Sequence, residues 1–164
     1  MSEEYPRLRA CFIASLGADA VSRFVKSLSQ QEVQFLLHHW PFWARDNQRA
    51  PKGKWQTWLL LGGRGCGKTR VGAEWIRAQI EGPSPLAAGL ARRVALVAPT
   101  LLDAREVMID GESGLRACSS KAYRPIFSAS RRRLKWPNGA LAYIFSAEDP
   151  DSLRGPQFDR AWCD

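Results

Sequence analysis

The stretch GGRGCGKT at positions 62–69 constrains the fold of this chain more than any other feature. It follows an apolar run at 58–61, which is too short for a helix and predicts a strand buried on both faces. The residues after it, RVGAEWIRAQI, place apolar side chains at helical spacing until Gly82 and Pro83 end the pattern. The sequence therefore predicts a strand, a glycine-rich turn and a helix in immediate succession.

This stretch has the pattern G-x-x-x-x-G-K-[ST], which binds phosphate when it lies between a strand and a helix. Glycines allow the backbone to take positive φ and to point its N–H groups at an anion, and the helix N-terminus adds partial positive charge. We expect Lys68 to reach the β and γ phosphates of a nucleotide and the Thr69 hydroxyl to bind Mg²⁺. The predicted nucleotide-binding residues are Gly62, Gly63, Arg64, Gly65, Cys66, Gly67, Lys68 and Thr69.

The rest of the chain indicates an α/β domain. RRVALVAPT (92–100) is typical of a second buried strand and LLDAREVMI (101–109) of a second helix, and such alternation favours a parallel sheet. Asn138 and Gly139 between two mixed apolar runs predict a β-hairpin over 133–146. The terminal FDRAWCD predicts one more strand, although Asp159 and Arg160 interrupt its apolar run.

The residues before this domain predict helices. Apolar residues recur at helical spacing over 6–39, and Ser29 with Glu32 forms a capping-box pattern that starts a new helix. We therefore divide the chain into an N-terminal helical segment, 1–40, and an α/β domain, 41–164.

Composition excludes several classes of protein. No apolar run approaches the roughly 18 to 20 residues that span a bilayer, and the start MSEEYPR lacks a secretory signal, so we expect a cytoplasmic protein without a membrane partner. The four cysteines are scattered, which predicts free thiols rather than a zinc site or disulfides. The net charge of +8 includes an acid-free basic stretch whose densest part is 131–135. The basic stretch could bind a polyanion such as DNA. It could equally well be a basic surface exposed to solvent.

Several blocks, in order, resemble the large terminase subunit of tailed phages and gene transfer agents, which packages DNA into proheads. They are GGRGCGKT, APT with DAREVMIDGESG, WPNGA, and SAEDPDSLRGPQFDRAWCD, and the resemblance covers about 40–164. It implies a P-loop NTPase fold of the additional-strand type, with ATP and Mg²⁺ as cofactors. The implied partners are double-stranded DNA, the portal protein, the small terminase subunit and further copies of the chain in a ring that docks on the prohead portal.

The resemblance also implies roles for single residues. Asp164 matches the Walker B carboxylate, which orients Mg²⁺ through water. The family's catalytic glutamate follows that carboxylate, so we expect the chain to end one residue before its general base and the nuclease domain to be absent. Binding of ATP with little turnover would result. The family places a further strand between the phosphate-loop strand and the Walker B strand, and without it we expect a marginally stable or aggregation-prone fragment.

The implied catalytic residues are Lys68, Arg64, Asp164 and Arg154. Arg64 could meet the γ phosphate from within the loop, or simply be exposed to solvent. Arg154 could act on the nucleotide of a neighbouring subunit, or pair with a local acid, Asp149 or Asp151. Gln48 resembles the glutamine that contacts adenine upstream of the loop.

Three functions are compatible with these motifs. The first is the ATPase portion of a packaging motor, and the second is a non-enzymatic module that binds nucleotide or DNA without turnover. The third, a small-molecule P-loop kinase, fits poorly because no arginine cluster of the kind found in kinase lids is evident.

Overall fold

The computed structural model describes residues 9–164, and within them the chain forms two compact units. The first ends at Trp58 and the second comprises Leu59–Asp164. The part of the predicted helical segment at 6–8 lies outside the described residues.

The first unit contains short helices. They are α1 (Ala10–Ser15), α2 (Ala18–Ser27), α3 (Gln30–His38), α4 (Trp40–Trp43) and a 3₁₀ turn (Asp46–Gln48). Gly17, at φ 91°, separates α1 from α2 with a backbone conformation that other residues rarely adopt. The predicted capping box is confirmed, because the Ser29 side chain accepts the Glu32 amide and the Glu32 carboxylate accepts the Ser29 amide.

The second unit contains a mixed sheet flanked by helices. In chain order its elements are α5 (Lys68–Ile80), β1 (Arg93–Ala98), α6 (Leu101–Asp103) continued by a π-helix (Ala104–Ile109), α7 (Leu115–Cys118), β2 (Ile126–Ser128), β3 (Arg133–Lys135), β4 (Leu141–Ser146), a 3₁₀ turn (Pro150–Leu153) and β5 (Arg160–Cys163). Within residues 9–164 the sheet has five strands in the order β2-β3-β4-β1-β5. The three longest, β1, β4 and β5, are parallel, and the pairs β2–β3 and β3–β4 are antiparallel. The prediction of an α/β domain with a largely parallel sheet is confirmed.

The core lies on one face of the sheet, where α5, α7 and the π-helix pack. Strand side chains alternate between faces, so every second residue of β1 points into this core. Fully buried members include Ile76, Ile80, Leu96, Met108, Ile109 and Leu134, with Trp162 of β5 at the margin. The core therefore joins α5 to the strand that precedes Asp164.

The predicted hairpin is confirmed. Strands β3 and β4 pair antiparallel, and Gly139 in the turn has φ 84°, a conformation that favours glycine. The Asn138 side-chain amide donates to the carbonyl oxygens of Ile80, at 2.9 Å, and Ala87, at 3.0 Å. The turn is thus attached to the C-terminal end of α5.

The predicted strand at 58–61 is wrong. These residues form no strand, and the side chains of Leu59 and Leu61 are 73% and 81% exposed. A strand exists only where a neighbour takes up its backbone hydrogen bonds, and no strand in the described part of the chain pairs with this segment. The outer edge of β5 is likewise unpaired within residues 9–164.

Asp159 explains the polar interruption before β5. Its carboxylate accepts the backbone N–H groups of Arg92, at 2.8 Å, and Arg93, at 2.9 Å, which connects the start of β5 to the start of β1. These hydrogen bonds from the backbone lower the pKa of the Asp159 carboxyl.

We expect the stabilising effect of Asp159 to disappear in acid. A carboxyl whose pKa is lowered by folding contributes stability above its unfolded value, 3.8, and this contribution is lost as pH falls through the folded pKa. Asp159→Asn should lower the free energy of unfolding by about 0.5 to 1 kcal/mol at pH 7, a value already reduced for solvent screening. Near pH 2 the substitution should leave the free energy of unfolding unchanged. Urea unfolding at several pH values measures this difference. The control Asp151→Asn, at an exposed ion pair, should show neither the cost nor its pH dependence.

Candidate functional site

The glycine-rich loop folds back on itself immediately before α5. Gly65 and Gly67 have φ 78° and 86°, and Gly67 is the left-handed residue from which α5 starts. A Cβ added to Gly62 would lie 2.5 Å from the Cys66 sulfur, so the two ends of the loop are in close contact. The turn therefore requires glycine at these three positions.

The loop presents backbone donors that bind no other group within the described residues. Within residues 9–164, one amide of the loop is bonded, that of Cys66, which donates to the Gly63 oxygen at 3.4 Å. The amides without a partner in the described chain are those of Gly63, Arg64, Gly65, Gly67, Lys68 and Thr69. Free amides at a helix N-terminus, next to left-handed glycines, form an anion-binding concavity.

Lys68 extends its side chain back over the loop. Its ammonium group donates to the carbonyl oxygens of Gly62, at 2.9 Å, and Gly63, at 3.1 Å. The side chain is exposed, so these two bonds hold a full positive charge at the mouth of the loop, where solvent or a ligand can reach it.

Thr69 and Asp164 meet although 95 residues separate them in the sequence. The Thr69 hydroxyl donates to Asp164 Oδ2 at 3.0 Å. The Asp164 amide donates to the Val97 oxygen at 3.0 Å, which extends the pairing of β5 with β1 to the carboxyl end of the sheet. A hydroxyl and a carboxylate are hard oxygen ligands of the kind that Mg²⁺ takes from protein.

These two oxygens fit a Mg²⁺ ion that is bound mainly by water and phosphate. In the part of the chain that the structure describes, no three His, Cys, Asp or Glu side chains form a metal cluster. Mg²⁺ usually keeps several waters and takes one or two protein ligands together with substrate phosphates.

Close packing of α5 on β5 sets the distance between Thr69 and Asp164. A Cβ added to Gly72, in the first half of α5, would lie 2.1 Å from Trp162 Cε2 and 2.5 Å from Cζ2. We did not predict this contact, yet it has a signal in the sequence. A glycine inside a helix costs about 1 kcal/mol relative to alanine, which indicates a close approach of another element.

The structure does not bring the remaining predicted residues into this arrangement. Arg64 is exposed and has no partner within residues 9–164. Arg154 forms an exposed ion pair with Asp151, at 3.2 Å, which is the alternative that the sequence left open. Gln48 is buried in the first unit, and its side-chain oxygen accepts the Arg45 amide at 3.0 Å. The roles proposed for these three residues stay predictions.

A chain of ion pairs along α5 is the main feature that sequence reasoning missed. Glu74 is 3% exposed and accepts from Arg70, at 2.8 Å, and from Arg77, at 2.6 Å. Arg77 also donates to both carboxylate oxygens of Glu81, each at 3.0 Å. The sequence shows that these acidic and basic residues are three or four positions apart, a spacing that allows ion pairs on a helix. Only the packing of α5 shows that the charged groups face the core.

This ion-pair chain lies in a poorly hydrated environment. Burial raises the pKa of the Glu74 carboxyl, although the neighbouring guanidinium groups of Arg77 and Arg70 oppose the shift. Burial also raises the pKa of the Cys118 thiol, on α7, to about 11. Removing one charged partner would leave another buried without compensation, which is strongly destabilising.

A protein-family model matches the larger part of this chain. The family model described as terminase large subunit, T4likevirus-type, N-terminal, matches residues 59–164, which is the whole second unit with its loop and Asp164. Comparisons with curated proteins and with solved structures find no match. Among the described residues, no helix has both the length and the apolar character needed to cross a bilayer. The chain therefore belongs to the family of terminase large subunits, the proteins of phage DNA packaging.

Proposed function

We propose that this chain is the ATP-binding part of a motor that moves double-stranded DNA into a prohead. The observation that carries the proposal is the hydrogen bond between Thr69 and Asp164. It brings two Mg²⁺-type oxygen ligands to one side of a loop most of whose amides have no partner within residues 9–164. We further propose that the second unit is a P-loop NTPase domain of the additional-strand type.

Each part of the site has a separate task in this proposal. The free amides and the Lys68 ammonium bind the phosphate tail of ATP, and the Thr69 and Asp164 oxygens hold Mg²⁺ directly or through water. When bound, Mg²⁺ neutralises charge on the phosphate oxygens. Arg64 adds a positive charge at the loop, where it can stabilise charge that develops during phosphoryl transfer.

The remaining partners are proposed from the family. Arg154, once released from Asp151, would act on the nucleotide of an adjacent copy in a ring. The portal protein and the small terminase subunit would contact the assembled motor.

Alkylation of Cys66 tests nucleotide binding directly. The thiol is half-buried within the loop, so bound phosphates should shield it. We expect MgATP at ten times its Kd to slow alkylation of Cys66 by about 10-fold, following the fraction of free protein. Mass spectrometry of the labelled peptides reads each cysteine separately.

Cys11 provides the internal reference because it is exposed and lies in the first unit. Its rate should not change with MgATP. Equal rates at Cys66 with and without MgATP would rule out the proposed phosphate site.

A further inference from the structure

A groove of about 430 Å³ opens between the end of the π-helix, α7 and the edge strand β2. Four cationic side chains and one carboxylate line its walls, and apolar residues of β2 lie beside them. We call the set the basic groove, and define it by Arg105, Arg116, Lys121 and Arg124 around Asp110.

The positive charge of the basic groove is only partly neutralised. Asp110 accepts from Arg116 at 2.6 Å and lies 3.7 Å from Arg105, which is also 3.7 Å from the exposed Glu106. Lys121 and Arg124 are exposed, and neither has an ion pair or hydrogen bond within residues 9–164. Their charges are therefore available to an anionic partner.

The basic groove lies far from the phosphate loop. Strand β2 forms one edge of the sheet and β5 the other, so four strand spacings of roughly 4.8 Å place them about 19 Å apart. Ile126 of β2 is in register with the starts of β1 and β4, whereas Asp164 follows the end of β5. This separation exceeds the Debye length of about 10 Å at 0.1 M salt, so the charges of the groove are largely screened from the phosphate loop.

We propose that the basic groove binds the sugar-phosphate backbone of double-stranded DNA, a partner that this inference takes from the proposed function. Arg and Lys side chains neutralise DNA phosphates, and contacts to phosphates carry no direct sequence information. A packaging motor must hold DNA of any sequence, which suits a surface of this composition.

The stretch 131–135, which the sequence left open as a DNA contact or a solvated basic face, provides a comparison for the basic groove. The Arg133 guanidinium lies 6.0 Å from the centre of the Tyr143 ring, and Arg132 is held at φ 48° in the tight turn between β2 and β3. Arg131 and Lys135 remain exposed, which makes them a matched comparison rather than the preferred site.

The double variant Lys121→Glu/Arg124→Glu tests the proposal. Fluorescence anisotropy with a labelled 30-base-pair duplex measures Kd from 50 to 200 mM salt. We expect binding at least about 10-fold weaker at 50 mM, and a slope of log K against log salt shallower by about 2, which corresponds to two lost phosphate contacts. Arg131→Glu/Lys135→Glu introduces the same charge change and should keep the wild-type slope.

Two other results would overturn the proposal. One is a wild-type slope of log K against log salt for Lys121→Glu/Arg124→Glu. The other is an equally shallower slope in both double variants, which would show that the net charge of the protein, and not the basic groove, determines DNA binding. If the reversal variant unfolds, Lys121→Gln/Arg124→Gln must still show the slope change. Protection of Cys66 by MgATP is expected to be normal in every variant. If MgATP fails to protect Cys66 in every variant, while DNA binding is weakened only in the Lys121/Arg124 variant, the proposed ATP site is wrong and the proposed DNA site is supported.

Discussion

Replacing Lys68 by alanine is expected to weaken MgATP binding by about 10- to 100-fold and to lower the melting temperature only slightly. The Lys68 ammonium lies over the loop through its bonds to Gly62 and Gly63, and a charge-assisted hydrogen bond contributes about 1.5 to 3 kcal/mol. The side chain is exposed, so its removal leaves no cavity. Isothermal titration calorimetry and thermal unfolding measure the two quantities.

Lys135→Ala is the matched control for this prediction. Lys135 is an exposed lysine on β3, and its loss should leave the affinity for MgATP unchanged. If Lys68→Ala binds MgATP as tightly as the wild type, the loop does not hold phosphates in the proposed way.

Replacing Gly72 by alanine is expected to lower the free energy of unfolding by about 1 to 3 kcal/mol, although alanine favours helices by about 1 kcal/mol relative to glycine. The added methyl group would overlap the Trp162 ring, with three ring atoms within 2.5 Å of its position. Relief requires α5 to move away from β5, which also separates Thr69 from Asp164. Both denaturant unfolding and MgATP affinity should therefore be affected.

A smaller side chain at Trp162 should reverse part of this effect. In Gly72→Ala/Trp162→Leu the methyl group has room, so the two substitutions should be non-additive by at least about 0.5 kcal/mol. Additive costs would show that Gly72 acts through helix propensity and not through its contact with the ring.

Local signals predicted the parts of the fold that depend on neighbouring residues. The capping box at Ser29, the turn at Gly139 and the start of α5 after Gly67 each follow from a few adjacent side chains. The strand at 58–61 was predicted from apolarity alone, and it fails because pairing depends on a partner that adjacent residues cannot supply. Sheet order and register depend on contacts of the same long-range kind.

Tertiary contact also decides the parts of the candidate site that the sequence could not supply. Asp164 could be matched by motif, but its distance to Thr69 depends on the packing of Gly72 against Trp162. The buried pair Glu74 and Arg77 reads as an ordinary exposed helix pair until its orientation toward the core is known. Both features help to fix the position of α5, which begins directly after the glycine-rich loop.

Helix α5 is attached to other elements at both ends. Its first residues include Lys68 and Thr69 of the candidate site, and the Ile80 carbonyl at its last turn accepts a hydrogen bond from the Asn138 side-chain amide of the hairpin. Thirteen helical residues span about 20 Å, and the buried ion pairs resist twisting of the helix. A change in the tilt of α5 would therefore move the hairpin turn that the Asn138 side chain attaches to it.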